Sequence, residues 1–193
     1  MNLTHPQALI FDCDGTLADT MPLHWRAWHA VAERYRLDFP EDRFYALGGV
    51  PSRDILKMLS REQGRELDPL AASKEKEAAY IPFLPQVQEV EVVVNIAREH
   101  YGIIPMAVAS GGIQSHINEV LTHLGIRHLF QAVVTSEDVT RQKPAPDIFL
   151  EAARRLGVAP QFCRAYEDTD LGLEAIRAAG MEAVDVRLLR KQG

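Results

Sequence analysis

The chain has 193 residues and a formal net charge of −6, with 47% hydrophobic and 25% charged residues. These values exclude disordered and fibrous classes, and an acidic chain lacks the broad basic surface that nucleic acid or an anionic membrane requires. Two cysteines without metal-binding spacing, no signal-peptide pattern and no apolar stretch of about 18 residues lead us to expect a cytoplasmic protein.

Five short apolar runs predict the strands of a parallel sheet. They occupy residues 8–11, 106–109, 132–134, 162–166 and 183–186. Continuous apolar runs of this length are typical of strands buried on both faces. Helical patterns lie between the later runs, and each ends at a glycine that can close the last turn, namely Gly125, Gly157 and Gly180. This alternation predicts a sheet covered by helices on both sides.

The segment between the first two strands breaks the alternation. Residues 19–84 show helical patterns without a convincing strand, which indicates a helical insertion. Residues 86–99 contain three consecutive valines that favour a strand, but their apolar positions share one helical face, and we predict a helix. The prediction is an α/β protein with a doubly wound, Rossmann-like core (residues 1–18 and 85–193) and a small helical cap domain (residues 19–84).

Polar side chains stand at the carboxyl ends of the predicted strands. Asp12, Ser110 and the pair Glu167-Asp168 follow the first, second and fourth apolar runs, and open α/β sheets bind ligands at this edge. With Asp14, four acidic groups converge there. Because neighbouring carboxylates repel one another, the pattern favours a bound divalent cation such as Mg²⁺.

Positive groups complete this predicted anion site. Lys143 supplies a fixed charge, and Ser110-Gly111-Gly112 is predicted to open a helix whose backbone N–H groups can bind an anion. Taken singly, each feature is more typical of a turn, a cap or a solvated loop. The combination, in chain order at successive strand ends, favours a site for phosphoryl transfer.

The same residues resemble the motifs of a known superfamily. Asp12-Cys13-Asp14-Gly15-Thr16-Leu17 resembles the DxDGTL signature of haloacid dehalogenase-like hydrolases, and Ser110, Lys143-Pro144 and Glu167-Asp168 resemble that family's other three motifs in order. The insertion resembles the small helical cap of the β-phosphoglucomutase-like branch. Within this branch the chain is most similar to bacterial fructose-1-phosphate phosphatases, through residues 105–108, 143–147 and 183–189.

The resemblance implies a phosphatase that acts on a small phosphorylated sugar through an aspartyl-phosphate intermediate. Asp12 is then the nucleophile, and Asp14 protonates the leaving alcohol and later activates water. Ser110 and the amide of Gly111 are implied to bind the phosphoryl oxygens, and Thr16 is counted among the residues that bind substrate.

The resemblance also implies a magnesium ion and a residue that balances charge. The implied ligands are Asp12, the backbone carbonyl of Asp14 and Asp168, with Glu167 in or beside the coordination shell. Lys143 is implied to offset the charge of Asp12 and of the phosphoryl group.

Substrate choice is expected to fall to the cap, through His24, Gly49, Arg53 and Lys76. On pattern alone, His24 can equally be a surface histidine of an amphipathic helix. Lys76 lies in the run Lys74-Glu75-Lys76-Glu77, which favours a solvated face of paired charges over a ligand contact.

Two alternatives remain open. A β-phosphoglucomutase shares every core motif but needs a cap arginine for a second phosphate, and here Ser52 holds the place where an ungapped comparison expects it, one residue before Arg53. A non-catalytic member of the fold would have lost Asp12, Asp14 or Lys143, and all three are present. We expect a monomer or a weak homodimer.

Overall fold

The computed structural model describes residues 5–191, and within them a single parallel sheet of five strands forms the centre of the molecule. The strands are β1 (Ala8–Phe11), β2 (Met106–Ala109), β3 (Ala132–Val134), β4 (Cys163–Glu167) and β5 (Glu182–Asp185). Their spatial order is β3-β2-β1-β4-β5. The chain therefore adds strands first on one side of β1 and then on the other, as in a doubly wound fold.

Helices connect the strands. The α-helices are α1 (Met21–Tyr35), α2 (Glu41–Ala46), α3 (Ser52–Gln63), α4 (Pro69–Tyr80), α5 (Glu91–His100), α6 (Gln114–His123), α7 (Asp147–Leu156), α8 (Asp170–Ala178) and α9 (Val186–Arg190). Short 3-10 helices span Ile81–Gln86, Arg127–Leu129 and Pro160–Phe162. None of the helices in the described part of the chain is long and apolar enough to cross a lipid bilayer.

The sheet is buried on both faces. Leu9 and Phe11 of β1 point into one apolar cluster, which α5, α6 and α9 cover, whereas Ala8 and Ile10 point into another, which α7 and α8 cover. Successive side chains of a strand alternate between the two faces, so an unbroken apolar run is what a sheet covered on both sides requires. The predicted fold class is confirmed.

A third apolar cluster lies among α1, α2, α3 and α4, which we call the cap helices. Its members include Trp28, Phe44, Leu56 and Ala72. The predicted helical character of this segment is confirmed. Because these helices bury an apolar cluster of their own, they can form a unit that stands beside the core.

The predicted helix over residues 86–99 is wrong at its beginning, since α5 starts only at Glu91. The preceding residues pair with the loop that follows β1: the N–H of Val90 donates to the carbonyl of Leu17 at 2.9 Å, and the N–H of Asp19 donates to the carbonyl of Gln88 at 2.8 Å. These backbone hydrogen bonds replace the first turn of the predicted helix.

Three further boundaries differ from the prediction. Phe162 ends a 3-10 helix and β4 begins one residue later, whereas Val186 begins α9 because the side chain of Asp185 accepts from the N–H of Arg187 as an N-cap. Ser110 does not open a helix, because α6 begins at Gln114.

Candidate active site

The predicted polar residues meet at the carboxyl edge of the three central strands. β2, β1 and β4 are neighbours in the sheet. Ser110 and Asp12 follow β2 and β1 directly, and Glu167 is the last residue of β4. Each strand is parallel to the next, so the carboxyl ends lie side by side. All three of these side chains are buried.

Lys143 forms a buried ion-pair triad with two of these carboxylates. Its Nζ lies 2.7 Å from Asp12 Oδ1 and 2.7 Å from Glu167 Oε2. Burial disfavours the ammonium, but Asp12 and Glu167 outweigh that effect and raise the pKa of Lys143. Burial, reinforced by the charge of Glu167, raises the pKa of Asp12 well above its ordinary value, although Lys143 acts in the opposite direction.

Glu167 is held at both of its carboxylate oxygens. Oε2 accepts from Lys143, and Oε1 accepts from the backbone N–H groups of Asp168 and Thr169 at 3.2 and 3.0 Å and from the Thr169 hydroxyl at 2.8 Å. With all these donors in place, Glu167 is well placed to fix the position of Lys143.

Asp12, Glu167 and Asp168 form an acidic cluster whose carboxylate oxygens lie within 4.8 Å of one another. Asp168 also accepts a hydrogen bond from Thr16 Oγ1 at 3.0 Å. Burial and the charge of Glu167 raise the pKa of Asp168 to about 7. Such crowding of oxygen donors suits a hard divalent cation, which would offset the repulsion. The donor set therefore fits Mg²⁺.

Lys143 contributes to the stability of the fold, because it is the counter-charge of two buried carboxylates. We expect Lys143→Met to lower the free energy of unfolding by about 3–5 kcal/mol, because Asp12 and Glu167 would stay buried without their counter-charge. Urea unfolding in the presence of EDTA, followed by circular dichroism, measures this difference without interference from bound metal.

The loss of stability in Lys143→Met is expected to increase with pH. Without the ammonium, the folded-state pKa of Asp12 lies still further above its unfolded value, and a raised folded pKa costs stability as pH rises through it. The deficit should therefore be larger at about pH 8 than at about pH 5. The control is Lys74→Met at an exposed position of α4, expected to change stability by less than about 0.5 kcal/mol. An equal loss in both variants would contradict the prediction.

Asp14 lies beside Asp12 but faces the cap helices. Its Oδ1 accepts from Thr20 Oγ1 at 2.7 Å and from His24 Nε2 at 3.2 Å, and Ser110 Oγ lies 3.5 Å from Oδ2. Burial favours the protonated acid, but the hydrogen bonds from His24 and Thr20 outweigh it and lower the pKa of Asp14. Asp14 is therefore an ionised carboxylate positioned by the first cap helix.

His24 connects Asp14 to a buried lysine. Lys76 Nζ lies 2.9 Å from His24 Nδ1 and 3.3 Å from Glu77 Oε1. Burial, together with the charge of Lys76, lowers the pKa of His24, so the ring is neutral. Since the ammonium only donates, Nδ1 accepts and the proton sits on Nε2, where it is donated to Asp14.

The interpretation of Lys76 as part of a solvated, salt-bridging face is wrong, because Lys76 is only 4% exposed. Its Nζ lies over the rings of Trp28 and Tyr80, 5.9 and 5.8 Å from their centroids. The alternation of Lys and Glu along α4 indicated a solvated surface, but α1 packs against that side of the helix and covers it. Likewise His24 is a largely buried contact of Asp14, with 14% of its side chain exposed, and not a surface histidine.

A cavity of about 420 Å³ opens between the carboxyl edge of the sheet and the cap helices. Its walls include Asp12, Asp14, Ser110, Gly111, His24, Gly49, Arg53, Lys76, Glu77 and Glu167. A volume in this range accommodates a small metabolite. Every predicted cap residue thus lines the cavity together with most of the predicted core residues.

Thr16 does not line this cavity. It is fully buried, and its hydroxyl is used by Asp168. The geometry fits a residue that positions Asp168 better than one that contacts substrate.

Glycines allow the cap and the core to approach closely at the cavity. Gly49 has φ +85°, which favours glycine, and a Cβ at Gly111 would lie only 2.7 Å from the carbonyl oxygen of Gly49.

Two other polar groups at the cavity differ in how they are used. The side chain of Arg53 is 62% exposed and its Nε lies 3.6 Å from Asp54 Oδ1. In the adjoining loop the amide of Gly112 donates to Ser110 Oγ at 3.1 Å, so this amide is already used within the protein.

Four residues of the site were missed by the sequence analysis, namely Thr20, Glu77, Tyr80 and His116. Thr20 donates to Asp14, and the Tyr80 ring stacks on His24 with centroids 4.1 Å apart. Glu77 accepts a hydrogen bond from His116 Nδ1 at 3.0 Å. None of them belongs to a motif. The packing of the cap helices on the core brings Glu77, Tyr80 and His116 to the wall of the cavity, whereas Thr20 lies behind Asp14.

Comparison with known proteins places this geometry in context. The model of the haloacid dehalogenase-like hydrolase family matches residues 6–180. Over 181 residues the chain is 43% identical to the fructose-1-phosphate phosphatase YqaB of Escherichia coli K12, with 94% of this chain and 96% of that protein covered. Over 187 residues it is 32% identical to the β-phosphoglucomutase of Bacillus subtilis, with 93% and 83% covered.

A solved structure shows the same arrangement of elements. The crystal structure of β-phosphoglucomutase from Clostridium difficile aligns with a TM-score of 0.80 at 25% identity, and the alignment covers 93% of this chain and 84% of that chain. The similarity therefore includes the cap helices as well as the core.

Proposed function

This chain belongs to the haloacid dehalogenase-like hydrolase family, and from that premise we propose that it is a phosphatase that releases inorganic phosphate from a small phosphorylated sugar. One observation carries the proposal. Asp12, a carboxylate paired with the buried Lys143, lines a cavity of about 420 Å³. Asp14, a second carboxylate, lines the same cavity and is held by its own set of donors. Two carboxylates in different environments suit two different chemical roles.

Asp12 is proposed as the nucleophile. It attacks phosphorus in line, the bond from phosphorus to the sugar oxygen breaks, and an aspartyl phosphate forms. Lys143 at 2.7 Å favours the charged carboxylate, and a bound divalent cation would offset the burial and the charge of Glu167 that act against it. Water then attacks the acyl phosphate, which returns the free carboxylate and releases phosphate.

Asp14 is proposed as the acid and base. An incoming phosphoryl group is negatively charged, and a like charge nearby raises the pKa of a carboxyl, so Asp14 can take up a proton as substrate binds. It then protonates the leaving alcohol and accepts a proton from the water of the second step. His24 and Thr20 hold the Asp14 carboxylate in place for both steps.

Two groups are proposed to bind the phosphoryl oxygens. Ser110 follows β2 with its hydroxyl near Asp14, and the amide of Gly111 comes next at the wall of the cavity. Lys143 is proposed to offset the charge of Asp12 and of the phosphoryl group. In phosphoryl transfer most of the catalysis comes from positioning and electrostatic stabilisation, and a rigid set of donors supplies both.

The acidic cluster is proposed to hold a magnesium ion. Asp12 and Asp168 would supply side-chain oxygens to it and Asp14 its backbone carbonyl, whereas Lys143 and Thr169 already use the oxygens of Glu167. When bound, the ion offsets the charge of Asp12 and of the phosphoryl oxygens. Thr16 keeps Asp168 in position.

The substrate is proposed to be fructose-1-phosphate or a similar sugar phosphate. The name of the Escherichia coli relative supports this choice, at 43% identity over nearly the full length of both proteins. The cap helices line the remaining wall of the cavity and present His24, Lys76 and Glu77 to the sugar.

The test is phosphate release in the presence of Mg²⁺ from fructose-1-phosphate, β-glucose-1-phosphate, glucose-6-phosphate and 6-phosphogluconate, with glucose-6-phosphate formation followed in parallel. We expect free phosphate from one or more of these sugars. Release from none of them would refute the proposed phosphatase.

A mutase is the second candidate, since relatives and structural neighbours carry that name and Arg53 lines the cavity. Against it, Arg53 is largely exposed and faces Asp54, and Ser52 donates to Glu77 at 2.8 Å. Formation of glucose-6-phosphate from β-glucose-1-phosphate, with little free phosphate, would establish the mutase instead.

A further inference from the structure

Glu77 is an acidic side chain in the wall of the cavity that takes no part in the phosphoryl-transfer steps proposed above. Its carboxylate accepts from three donors: Ser52 Oγ at 2.8 Å, Lys76 Nζ at 3.3 Å and His116 Nδ1 at 3.0 Å. The donors belong to α3, α4 and α6, so they reach Glu77 from the cap helices and from the core. Hydroxyl, ammonium and imidazole groups arranged in this way would otherwise form a binding site for an anion.

The donors keep Glu77 charged. Burial favours the neutral acid, but the hydrogen bond from His116 and the charge of Lys76 outweigh it and hold the pKa of Glu77 well below its usual range. The cavity therefore contains an ionised carboxylate, and the hydrogen bonds to its two oxygens engage the surrounding donors.

Within residues 5–191, no free cation is left at this end of the cavity for a second anionic group on a substrate. Among the described residues that line it, the lysine and arginine side chains are Lys76 and Arg53. Lys76 is engaged by Glu77 and His24. Arg53 is 62% exposed and faces Asp54. A neutral hydroxyl, in contrast, can donate to the Glu77 carboxylate without disturbing any of these contacts.

We propose that Glu77 is a specificity-determining residue, which admits sugars with one phosphoryl group and rejects sugar bisphosphates. The inference rests on the proposed function, since it assumes that the catalytic end of the cavity takes the first phosphoryl group. A bisphosphate is rejected because its second phosphoryl group meets the like charge of Glu77. In addition, the Ser52, Lys76 and His116 donors already bind Glu77 and are not available to that group.

The experiment measures binding without turnover. Fructose-1-phosphate and fructose-1,6-bisphosphate are titrated calorimetrically, with Mg²⁺, into Asp12→Asn protein and into the double variant Asp12→Asn/Glu77→Gln. We expect the single variant to prefer the monophosphate, and Glu77→Gln to shift the ratio of the two affinities toward the bisphosphate by at least about tenfold, because it removes the charge and keeps the shape.

Two matched variants separate charge from disturbance of the cap. Glu75→Gln changes a carboxylate on the same helix that contacts Tyr35 and Arg34 within the cap, and it should leave the affinity ratio unchanged. Ser52→Arg keeps the Glu77 side chain but replaces the hydroxyl that donates to it at 2.8 Å by a positive charge, and it should shift the ratio in the same direction as Glu77→Gln. This second variant tests the proposal even if Glu77→Gln fails to fold.

The outcomes distinguish this inference from the proposed function. The role of Glu77 would be overturned if the affinity ratio in both Glu77→Gln and Ser52→Arg stayed within about twofold of the ratio in the Asp12→Asn protein. It would also be overturned if Glu75→Gln shifted the ratio as much as Glu77→Gln does. The role of Glu77 would also be overturned if neither sugar bound to any of these proteins. The expected shift combined with no phosphate release by the wild-type protein would instead support the role of Glu77 in binding and refute the phosphatase.

Discussion

Replacing Asp12 by asparagine is expected to lower turnover at least about 10³-fold while the fold survives. Asparagine has nearly the same shape, and its amide oxygen can still accept from Lys143, which now lies 2.7 Å from Asp12 Oδ1. The neutral amide, however, cannot serve as the attacking carboxylate. Steady-state phosphate release gives the loss of activity, and thermal unfolding followed by circular dichroism shows whether the variant remains folded.

The matched control is Asp19→Asn. Asp19 lies on the same loop, but it pairs with Arg190 at 3.0 Å and has a half-exposed side chain, so it should keep activity near that of the wild type. Near-wild-type turnover by folded Asp12→Asn would remove Asp12 as the nucleophile. Acid-quenched wild-type enzyme, digested and analysed by mass spectrometry, should also yield a phosphorylated peptide that contains Asp12 and that the variant lacks.

Removal of divalent metal with excess EDTA is expected to stop turnover, and Mg²⁺ should restore it. Asp12, Glu167 and Asp168 place carboxylate oxygens within 4.8 Å of one another, and a single lysine has to offset their charge. Burial and the charge of Glu167 act together to raise the pKa of Asp168 to about 7, which indicates how strongly this cluster needs an added cation. Undiminished activity in excess EDTA would remove the metal from the proposed mechanism.

A second readout tests metal binding apart from activity. Mg²⁺ that binds only the folded protein should raise the melting temperature, and the rise should grow with concentration. Asp168→Asn should abolish most of this rise. Asp170→Asn, two residues along the chain at a side chain that is 87% exposed and paired with Arg187, should retain it. Equal shifts in the two variants would contradict Asp168 as a ligand.

The sequence alone was sufficient to predict the core of the molecule. Apolar runs of three to five residues marked all five strands of the described chain, and the glycines after three helices proved to have φ of 70°, 70° and 76°. Because side chains at the ends of parallel strands reach the same edge, their order in the chain predicted that Asp12, Ser110 and Glu167 would be neighbours. The domain limits, 1–18 and 85–193 for the core and 19–84 for the cap, stay a prediction.

The state of the cap residues could not be predicted in this way. Lys76 looked like part of a charged, solvated face, yet it is buried and contacts His24, which lies 52 residues earlier in the chain. Thr16 sits inside the first motif, yet its hydroxyl serves Asp168, 152 residues later. Glu77 stood only in the same charged run as Lys76, and His116 carried no signal at all.

Local patterns therefore determined which backbone segments form strands and helices and which polar groups end at the sheet edge, because hydrophobic periodicity and strand polarity are properties of short stretches of chain. Only the tertiary structure decided which charged groups are buried and how they are paired. Burial depends on which helix covers a given face, and a pair such as Glu77 with His116 forms only where α4 of the cap meets α6 of the core.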